Sequence, residues 1–195
     1  MLIGLTGRSG SGKSTVCRLF GKEGFEIIDC DEIVHGLYRS PVYCAKIAEI
    51  FGKHCVKDGA VDRSALSAIV FSDSEKLALL NTIASSFIKK AILQEVDRVR
   101  AENVNAVLDA PLLFEYELHH VTDCTVAVIC DTETAVARLL LRDTRSEKEI
   151  RARLLSQKDE KFFREHADIL IENNGGREEL LSAFSRAMEA IRAHQ

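Results

Sequence analysis

The segment at residues 7–14, GRSGSGKS, is the feature that most constrains how this 195-residue chain folds. An apolar run at residues 2–6 predicts a buried strand before it, and from Ser14 apolar residues recur at helical steps. A strand that turns through glycines into a helix can point backbone N–H groups at oxyanions, which side chains would block. The start of a helix adds unpaired N–H groups and the positive end of its dipole. The segment therefore predicts a phosphate-binding loop.

Two side chains of this loop are predicted to act on ATP directly. Lys13 would place a mobile charge on the β- and γ-phosphates, and Ser14 would offer its hydroxyl to Mg²⁺. The alternative, a glycine-rich turn capped by serine, is less consistent with the flanking strand and helix. The motifs Asn-Lys-x-Asp of GTPases and Leu-Ser-Gly-Gly of transporter ATPases are absent from the sequence. The nucleotide-binding residues predicted here are Gly7, Arg8, Ser9, Gly10, Ser11, Gly12, Lys13, Ser14 and Thr15.

Strands and helices alternate along most of the chain. Further strands are predicted at residues 25–29, 106–109, 125–130 and 169–171, with helical periodicity between them. This alternation predicts an α/β protein of three layers, with a five-stranded parallel sheet flanked by helices. Residues 32–103 carry helical patterns only, interrupted by a turn at Lys57-Asp58-Gly59. We expect one domain, with a core at about 1–31 and 104–195, a helical substrate-binding insertion at about 32–103 and a helical lid at about 142–165.

Composition narrows the classes of partner. The formal net charge of −4 argues against a broad nucleic-acid or anionic-membrane surface. No apolar run approaches the roughly 18 residues of a membrane span, and no secretory leader is visible. Six scattered cysteines without a CxxC pair favour buried, reduced thiols over disulfides. We expect a cytoplasmic protein, a monomer or weak homo-oligomer, that binds small molecules rather than nucleic acid or membrane.

Aspartates follow two of the predicted strands, at the edge where parallel sheets bind ligands. Asp31 is predicted to act as the general base of a phosphoryl transfer, or else to cap the helix after it. A role for Asp29 is left open in the same way. Asp109 either holds a water on Mg²⁺ or is a turn residue before Pro111.

Arginines after the fourth strand are candidates for a closing lid. Arg138 and Arg142 lie four residues apart on one predicted helical face, where they could bring cations over the nucleotide. The alternative is a solvated helix with ion pairs, which suits Arg151 and Arg153 better than Arg142.

With these motifs in place, the chain resembles the dephospho-CoA kinase family, a family of P-loop kinases, along nearly its whole length. The matching segments are Ile3-Gly4-Leu5-Thr6-Gly7, Gly10-Ser11-Gly12-Lys13-Ser14, Ile28-Asp29-Cys30-Asp31, Phe51-Gly52, Asp58-Gly59, Asp62-Arg63, Val70-Phe71, Pro111-Leu112-Leu113-Phe114-Glu115, Arg138, Arg142-Asp143, Gln157, Ala167-Asp168 and Asn173-Asn174-Gly175. The Asp-x-Asp and Pro-Leu-Leu-Phe-Glu segments narrow the resemblance beyond nucleotide binding in general.

This resemblance implies a P-loop kinase fold and MgATP-dependent phosphorylation of the ribose 3′-hydroxyl of dephospho-CoA, giving CoA and ADP. It implies Asp31 as the base, Lys13 and Arg142 as further catalytic residues, and Ser14 as the metal ligand. Nucleotide contacts would include Arg138, Asn173 and Gly175. The insertion would hold the acceptor together with Pro111, Leu112 and Leu113.

Two stretches depart from that family's pattern. Arg8 stands where the family usually has glycine, and it either adds a cation beside the phosphates or points to solvent. Ala84-Ser85-Ser86 replaces the family's usual Leu-His-Pro in the helical insertion. Two alternatives remain open: a kinase for another nucleotide or small metabolite, and an ATP-binding regulatory protein without turnover.

Overall fold

A computed structural model describes residues 1–193 of the chain. Its strands are β1 (Leu2–Gly7), β2 (Glu26–Asp29), β3 (Val56–Lys57), β4 (Ala60–Val61), β5 (Ala106–Asp109), β6 (Cys124–Ile129) and β7 (Ile169–Glu172). Its helices are α1 (Lys13–Lys22), α2 (Cys30–Leu37), α3 (Pro41–Phe51), α4 (Arg63–Val70), α5 (Ser74–Ala101), α6 (Thr132–Arg142), α7 (Glu147–Leu155), α8 (Glu160–His166) and α9 (Arg177–Ala193). The described residues form two compact units, one of residues 1–28 and 99–193 and one of residues 29–98.

The larger unit is built on a five-stranded sheet in the order β2-β5-β1-β6-β7. Strand β1 pairs in parallel with β5 and β6, and β6 pairs in parallel with β7. Every residue of β1 and β6 is buried, as expected for strands covered on both faces. The predicted α/β fold with a parallel five-stranded sheet flanked by helices is confirmed.

The sheet is covered on both faces, and alternate residues of β6 contribute to each of them. Ile3 and Leu5 of β1 pack with α1 and α9, where Phe20 and Phe184 meet edge to face at 4.9 Å. On the other face, Phe163 of α8 packs against Ala127 and Ile129 of β6. Because β1, β5 and β6 are parallel, the loops that follow them lie together at the carboxyl edge of the sheet.

The smaller unit contains α2, α3, α4, most of α5 and a short antiparallel hairpin of β3 and β4. Asp58 and Gly59 have φ angles of 51° and 74°, so the predicted turn is confirmed as a tight hairpin turn. Helix α5 continues for 28 residues through Ala84-Ser85-Ser86. A proline there would remove a helical hydrogen bond and kink the helix, so its absence suits the uninterrupted helix.

The six cysteines are all buried and none of them forms a disulfide, which confirms the prediction of buried reduced thiols. Burial raises the pKa of Cys124 to about 11, aided by the nearby charge of Asp168, so its reactive thiolate form is scarce at neutral pH. Among residues 1–193, no helix combines the length and the apolar character that crossing a membrane requires.

Candidate active site

The loop after β1 follows a course that requires glycine. Gly10 and Gly12 have φ angles of 80° and 97°, in the left-handed region. A Cβ at Gly10 would lie 2.8 Å from the carbonyl oxygen of Ala135, and one at Gly12 would lie 2.2 Å from Nδ2 of Asn173. Both the backbone angle and the lack of space therefore exclude larger residues, and the protein itself fixes the shape of the loop.

Asn173, directly after β7, supports this loop from within the protein. Its Nδ2 donates to the carbonyl oxygen of Ser11 at 2.7 Å, and its own backbone N–H donates to Ile129 at 2.9 Å. Asn173 is only 6% exposed. Its side chain is therefore used to hold the loop backbone, and any nucleotide contact of this residue stays a prediction.

Arg8 points toward the segments that follow β6. Its guanidinium donates to the carbonyl oxygen of Leu154 at 3.1 Å and to Oγ1 of Thr132 at 3.4 Å, while its Nε is buried without a partner among the described residues. The alternative that Arg8 merely points to solvent is therefore wrong, because its head group joins the phosphate loop to the end of α7.

Gln157, between α7 and α8, forms a two-point contact with Ser9. Its Oε1 accepts from the Ser9 backbone N–H at 3.1 Å, and its Nε2 donates to Ser9 Oγ at 3.0 Å. Ser9 is thus held through both its backbone and its hydroxyl. The loop and the predicted lid segment are linked within the larger unit.

Lys13 forms an ion pair with Asp109, the last residue of β5. Their side chains are only 15% and 12% exposed. Such a pair is little screened by solvent, and removing either partner would leave a poorly solvated charge. Asp109 is thus more than a turn residue before Pro111: it holds Lys13 at the start of α1.

The same place offers oxygen donors suited to Mg²⁺. Ser14 lies exposed in the first turn of α1, one residue from the Lys13–Asp109 pair. Among the described residues there is no cluster of three or more His, Cys, Asp or Glu able to hold a metal. One hydroxyl and one carboxylate fit an ion that takes its remaining ligands from water and phosphate.

A cavity of about 570 Å³ lies beside the loop, lined by residues of α1, α6 and the β7–α9 connection. Arg138 borders it, but its guanidinium also donates to the carbonyl oxygens of Asn173 at 2.8 Å and Gly175 at 3.2 Å. Arg138 therefore ties the wall of the cavity together. Arg18, Lys22 and Arg177 add positive charge around it.

Comparison with known proteins decides the family. The family model described as dephospho-CoA kinase matches residues 1–179. A dephospho-CoA kinase of Latilactobacillus sakei subsp. sakei is 35% identical over 191 residues, covering 97% of this chain and 95% of the relative. The chain belongs to the dephospho-CoA kinase family.

Solved structures agree with this assignment. A dephospho-CoA kinase from Campylobacter jejuni superposes with a TM-score of 0.74 at 26% identity, covering 97% of this chain and 96% of that one. The protein TT1252 from Thermus thermophilus superposes with a TM-score of 0.77 at 31% identity, covering 99% and 96%. The family resemblance stated from the motifs is confirmed.

In this family member, Asp31 lies in the first turn of α2, within the smaller unit. The helix cap is Asp29, whose Oδ1 accepts from the backbone N–H groups of Asp31 and Glu32 at 2.9 and 3.1 Å. The alternative role of Asp31 as the cap is therefore wrong. Its exposed carboxylate makes no hydrogen bond or ion pair with residues 1–193, so it is available to a ligand.

Arg142, the last residue of α6, is 60% exposed at its side chain and pairs with the adjacent Asp143 at 2.8 Å. Arg145 and Arg153 approach the same carboxylate at 3.7 Å. The hydrogen bond from Arg142 is the main cause that lowers the pKa of Asp143. Arg151 pairs with Glu133 and Glu147, so the ion-paired helix predicted for Arg151 and Arg153 is present.

The loop after β5 separates its three predicted acceptor contacts. Pro111 and Leu112 are exposed, whereas Leu113 is fully buried. Leu113 packs against Gly4 of β1, where an added Cβ would lie 2.9 Å from its Cδ2. The Leu113 side chain is therefore part of the core, and the predicted acceptor contact is left to Pro111 and Leu112.

Sequence reasoning did not predict the contacts that stabilise the loop. The pairing of Lys13 with Asp109 and the two-point contact of Gln157 join residues 96 and 148 positions apart. Gln157 is one of the positions that match the family, and this match was the one sign in the sequence that it has a role at the site. No local pattern marks Asn173 as a partner of Ser11.

Proposed function

We propose that this chain transfers the γ-phosphoryl group of ATP to the ribose 3′-hydroxyl of dephospho-CoA, giving CoA and ADP. Its family and its named relatives support phosphorylation of dephospho-CoA, in coenzyme A biosynthesis, as the reaction. The single observation that carries the proposal in the structure is the glycine-shaped loop with Lys13 held at its helix by Asp109. That arrangement supports a site for the phosphates of a nucleotide.

In the proposed step, the 3′-oxygen attacks the γ-phosphorus while the bond to the β,γ-bridging oxygen breaks and ADP departs. Asp31 accepts the proton of the attacking hydroxyl. Its carboxylate suits that role because it is exposed and makes no hydrogen bond with the described residues, while Asp29 serves as the cap. A positioned base of this kind contributes about 10²- to 10⁴-fold to rate.

Lys13 and the start of α1 would stabilise negative charge on the transferring group. The dipole and unpaired N–H groups of the helix point at the phosphates, and the Lys13 ammonium adds a full charge. Asp109 would keep Lys13 in place between turnovers. This part of the catalytic effect is electrostatic, and it depends on donors already fixed in position.

Mg²⁺ bound with ATP would neutralise part of the phosphate charge. In this chain Ser14 would ligate the ion directly, and Asp109 would hold one of its waters. Arg142, close to the phosphates in the proposed closed lid, would exchange Asp143 for phosphate oxygens. Its high exposure and its single short pair make that exchange inexpensive compared with moving Lys13.

The adenosine part of ATP would occupy the cavity of about 570 Å³ beside the loop. Its volume lies in the range of small-molecule sites. Arg138 and Gly175 border it, which supports their proposed role at the nucleotide. We further propose that the protein acts in the cytoplasm as a monomer or weak homo-oligomer.

One assay tests the function. Purified protein with MgATP is assayed for ADP release with dephospho-CoA, with a nucleoside monophosphate, and with no acceptor. We expect ADP release to depend on dephospho-CoA. Stimulation by the nucleoside monophosphate instead would indicate another small-metabolite kinase. Equal ADP release with and without dephospho-CoA would refute the proposed reaction.

A further inference from the structure

A second cavity, of about 550 Å³, lies entirely within the unit of residues 29–98. It is bordered by α2 and the two residues after it, by the β3–β4 hairpin and by the start of α4. We refer to it as the hairpin cleft, and its charged and aromatic lining consists of Glu32, His35, Tyr38, Arg39 and Arg63. The sequence motifs singled out Asp62-Arg63 and Asp58-Gly59, yet the functions above give neither of them a role.

The walls of the hairpin cleft are held firmly. The backbone N–H of Val61 donates to the carbonyl oxygen of Tyr38 at 2.8 Å, which joins the hairpin to the residue after α2. Asp62 caps α4 by accepting from the N–H groups of Ser64 and Ala65, both at 3.0 Å. Arg39 and Arg63, 24 positions apart in sequence, are thereby placed on one cavity.

Aromatic packing fixes the floor of the same cleft. The guanidinium carbon of Arg63 lies 4.1 Å from the centroid of the Tyr38 ring, within the range of a cation–π contact. Tyr38 in turn meets the buried Tyr43 edge to face at 6.0 Å. The position of the Arg63 head group is therefore restricted without the use of its N–H donors.

The positive charge of the cleft is only partly compensated by the protein. Among residues 1–193, neither Arg39 nor Arg63 forms an ion pair with a carboxylate. By contrast, most arginines of helices α5 to α8 do form one. Glu32 is the carboxylate that borders the cavity, against two guanidinium groups. The surplus favours an anion, and planar guanidinium forks match phosphate oxygens especially well.

The lining of the cleft begins on α2 at Glu32, directly after the proposed base, and continues one helical turn on at His35. Asp31 and His35 are four residues apart on α2, and Nδ1 of His35 contacts the carbonyl oxygen of Asp31 at 2.8 Å. In dephospho-CoA the 5′-diphosphate is the only ionised group at neutral pH, and it is attached to the ribose that carries the 3′-hydroxyl. A ribose hydroxyl at Asp31 would thus bring a diphosphate to this part of α2.

We propose that the hairpin cleft binds the diphosphate of the acceptor, with Arg39 and Arg63 as its ligands. The proposal rests on the proposed function, because it assigns a place to that reaction's acceptor. It gives the smaller unit a means of selecting acceptors by charge: a nucleoside alcohol that carries a 5′-diphosphate binds, and one without it does not.

The test measures binding of dephospho-CoA by calorimetry, with the phosphate loop occupied by a non-hydrolysable ATP analogue and Mg²⁺. We expect Arg39→Gln and Arg63→Gln each to weaken binding about tenfold, as the loss of a charge-assisted contact does. Arg63→Lys keeps the charge but loses the fork, so it should fall between Arg63→Gln and the unaltered protein. Lys57→Gln, at an exposed cation of the hairpin outside the cleft lining, should bind normally.

Steady-state kinetics provide the second measurement. The KM for dephospho-CoA should rise by a similar factor in both glutamine variants, with the KM for ATP unchanged. If the protein turns over normally but both variants keep the unaltered affinity and KM for dephospho-CoA, the cleft does not bind the diphosphate. The proposed function would then still stand. Tight, arginine-dependent binding without turnover would support the cleft and contradict the proposed function instead.

Discussion

The phosphate loop and the hairpin cleft treat charge in opposite ways. In the loop, Lys13 is paired with Asp109, and the backbone is held by Asn173 and Gln157. In the smaller unit, the side chains of Asp31, Arg39 and Arg63 have no hydrogen-bonding or ion-pair partner among the described residues. The charged groups of the loop are therefore already paired within the protein, whereas those of the smaller unit are available to bind the acceptor.

This difference indicates how the two substrates are handled. Donors fixed in advance can stabilise charge that develops on phosphoryl transfer without reorganising, which suits a loop that binds every ATP in the same way. Charged side chains without a partner in the protein gain one only from the correct acceptor, which allows the enzyme to discriminate between acceptors. Changes in the loop should therefore act through ATP and the chemical step, and changes in the hairpin cleft through binding of the acceptor.

The largest effect is expected at Lys13. Lys13→Ala removes the charge from the phosphates and should lower kcat/KM by about 10³-fold, as the loss of a fixed transition-state donor does. Because Asp109 would be left without its partner, the double variant Lys13→Ala/Asp109→Ala is measured alongside it. Lys57→Ala, at an exposed lysine of the β3–β4 hairpin, serves as the control. Normal kinetics in the Lys13 variant would contradict the role of the loop.

Asp31→Asn should act on the chemical step alone. We expect kcat to fall by about 10²-fold or more, since the general base is lost, while ATP binds with unchanged affinity. The matched control is Asp58→Asn, because asparagine tolerates the left-handed conformation of that hairpin turn. Equal turnover of the two variants would break the assignment of Asp31.

A change at Gln157 tests whether the hydrogen bonds that hold the loop in place are needed for ATP binding. Gln157→Ala removes two hydrogen bonds to Ser9 and should raise the KM for ATP about tenfold, with the KM for dephospho-CoA unchanged. Ser9→Ala removes only the hydroxyl half and should raise it about threefold. An increase in the KM for the acceptor instead would show that the two regions are not separable in this way.

The smallest expected effect is on the pH dependence of stability, through Tyr43 in the core under the hairpin cleft. Burial, followed by the nearby charges of Tyr38 and Cys44, raises the pKa of Tyr43 from 10.0 to about 12. Because the unfolded state loses this proton first, the stabilisation present below pH 10 declines as pH rises towards 12. At pH 11 the free energy of unfolding should have lost about 1 kcal/mol through this group. Denaturant unfolding compared with Tyr43→Phe measures it, and identical pH profiles would contradict the expectation.

Local patterns in the sequence predicted much of the fold. The apolar runs gave the five sheet strands, and glycine spacing gave the loop, because both signals lie within a few residues. Strands β3 and β4 were missed since two residues show no periodicity, although the Asp58-Gly59 turn between them was predicted. The continuity of α5 was also missed, because its apolar residues occur in separated groups.

Residues of the candidate site could be predicted from the sequence where the chemical group of the side chain alone suggests its role. Lys13, Ser14 and Asp31 stood out for that reason, although their roles remain proposals. The choice between Asp29 and Asp31 as helix cap required the structure, since both are good caps in sequence. Contacts such as Arg8 with Leu154 and Asn173 with Ser11 depend on how the sheet brings distant loops together.

The central claim is the transfer of a phosphoryl group to one defined hydroxyl of the acceptor. Its most direct measurement is phosphorus NMR of the product formed from MgATP and dephospho-CoA. We predict one new phosphate monoester resonance, coupled to the ribose proton at C3′, in an amount equal to the ADP released. ADP release without that resonance, or a monoester at another position, would contradict the account.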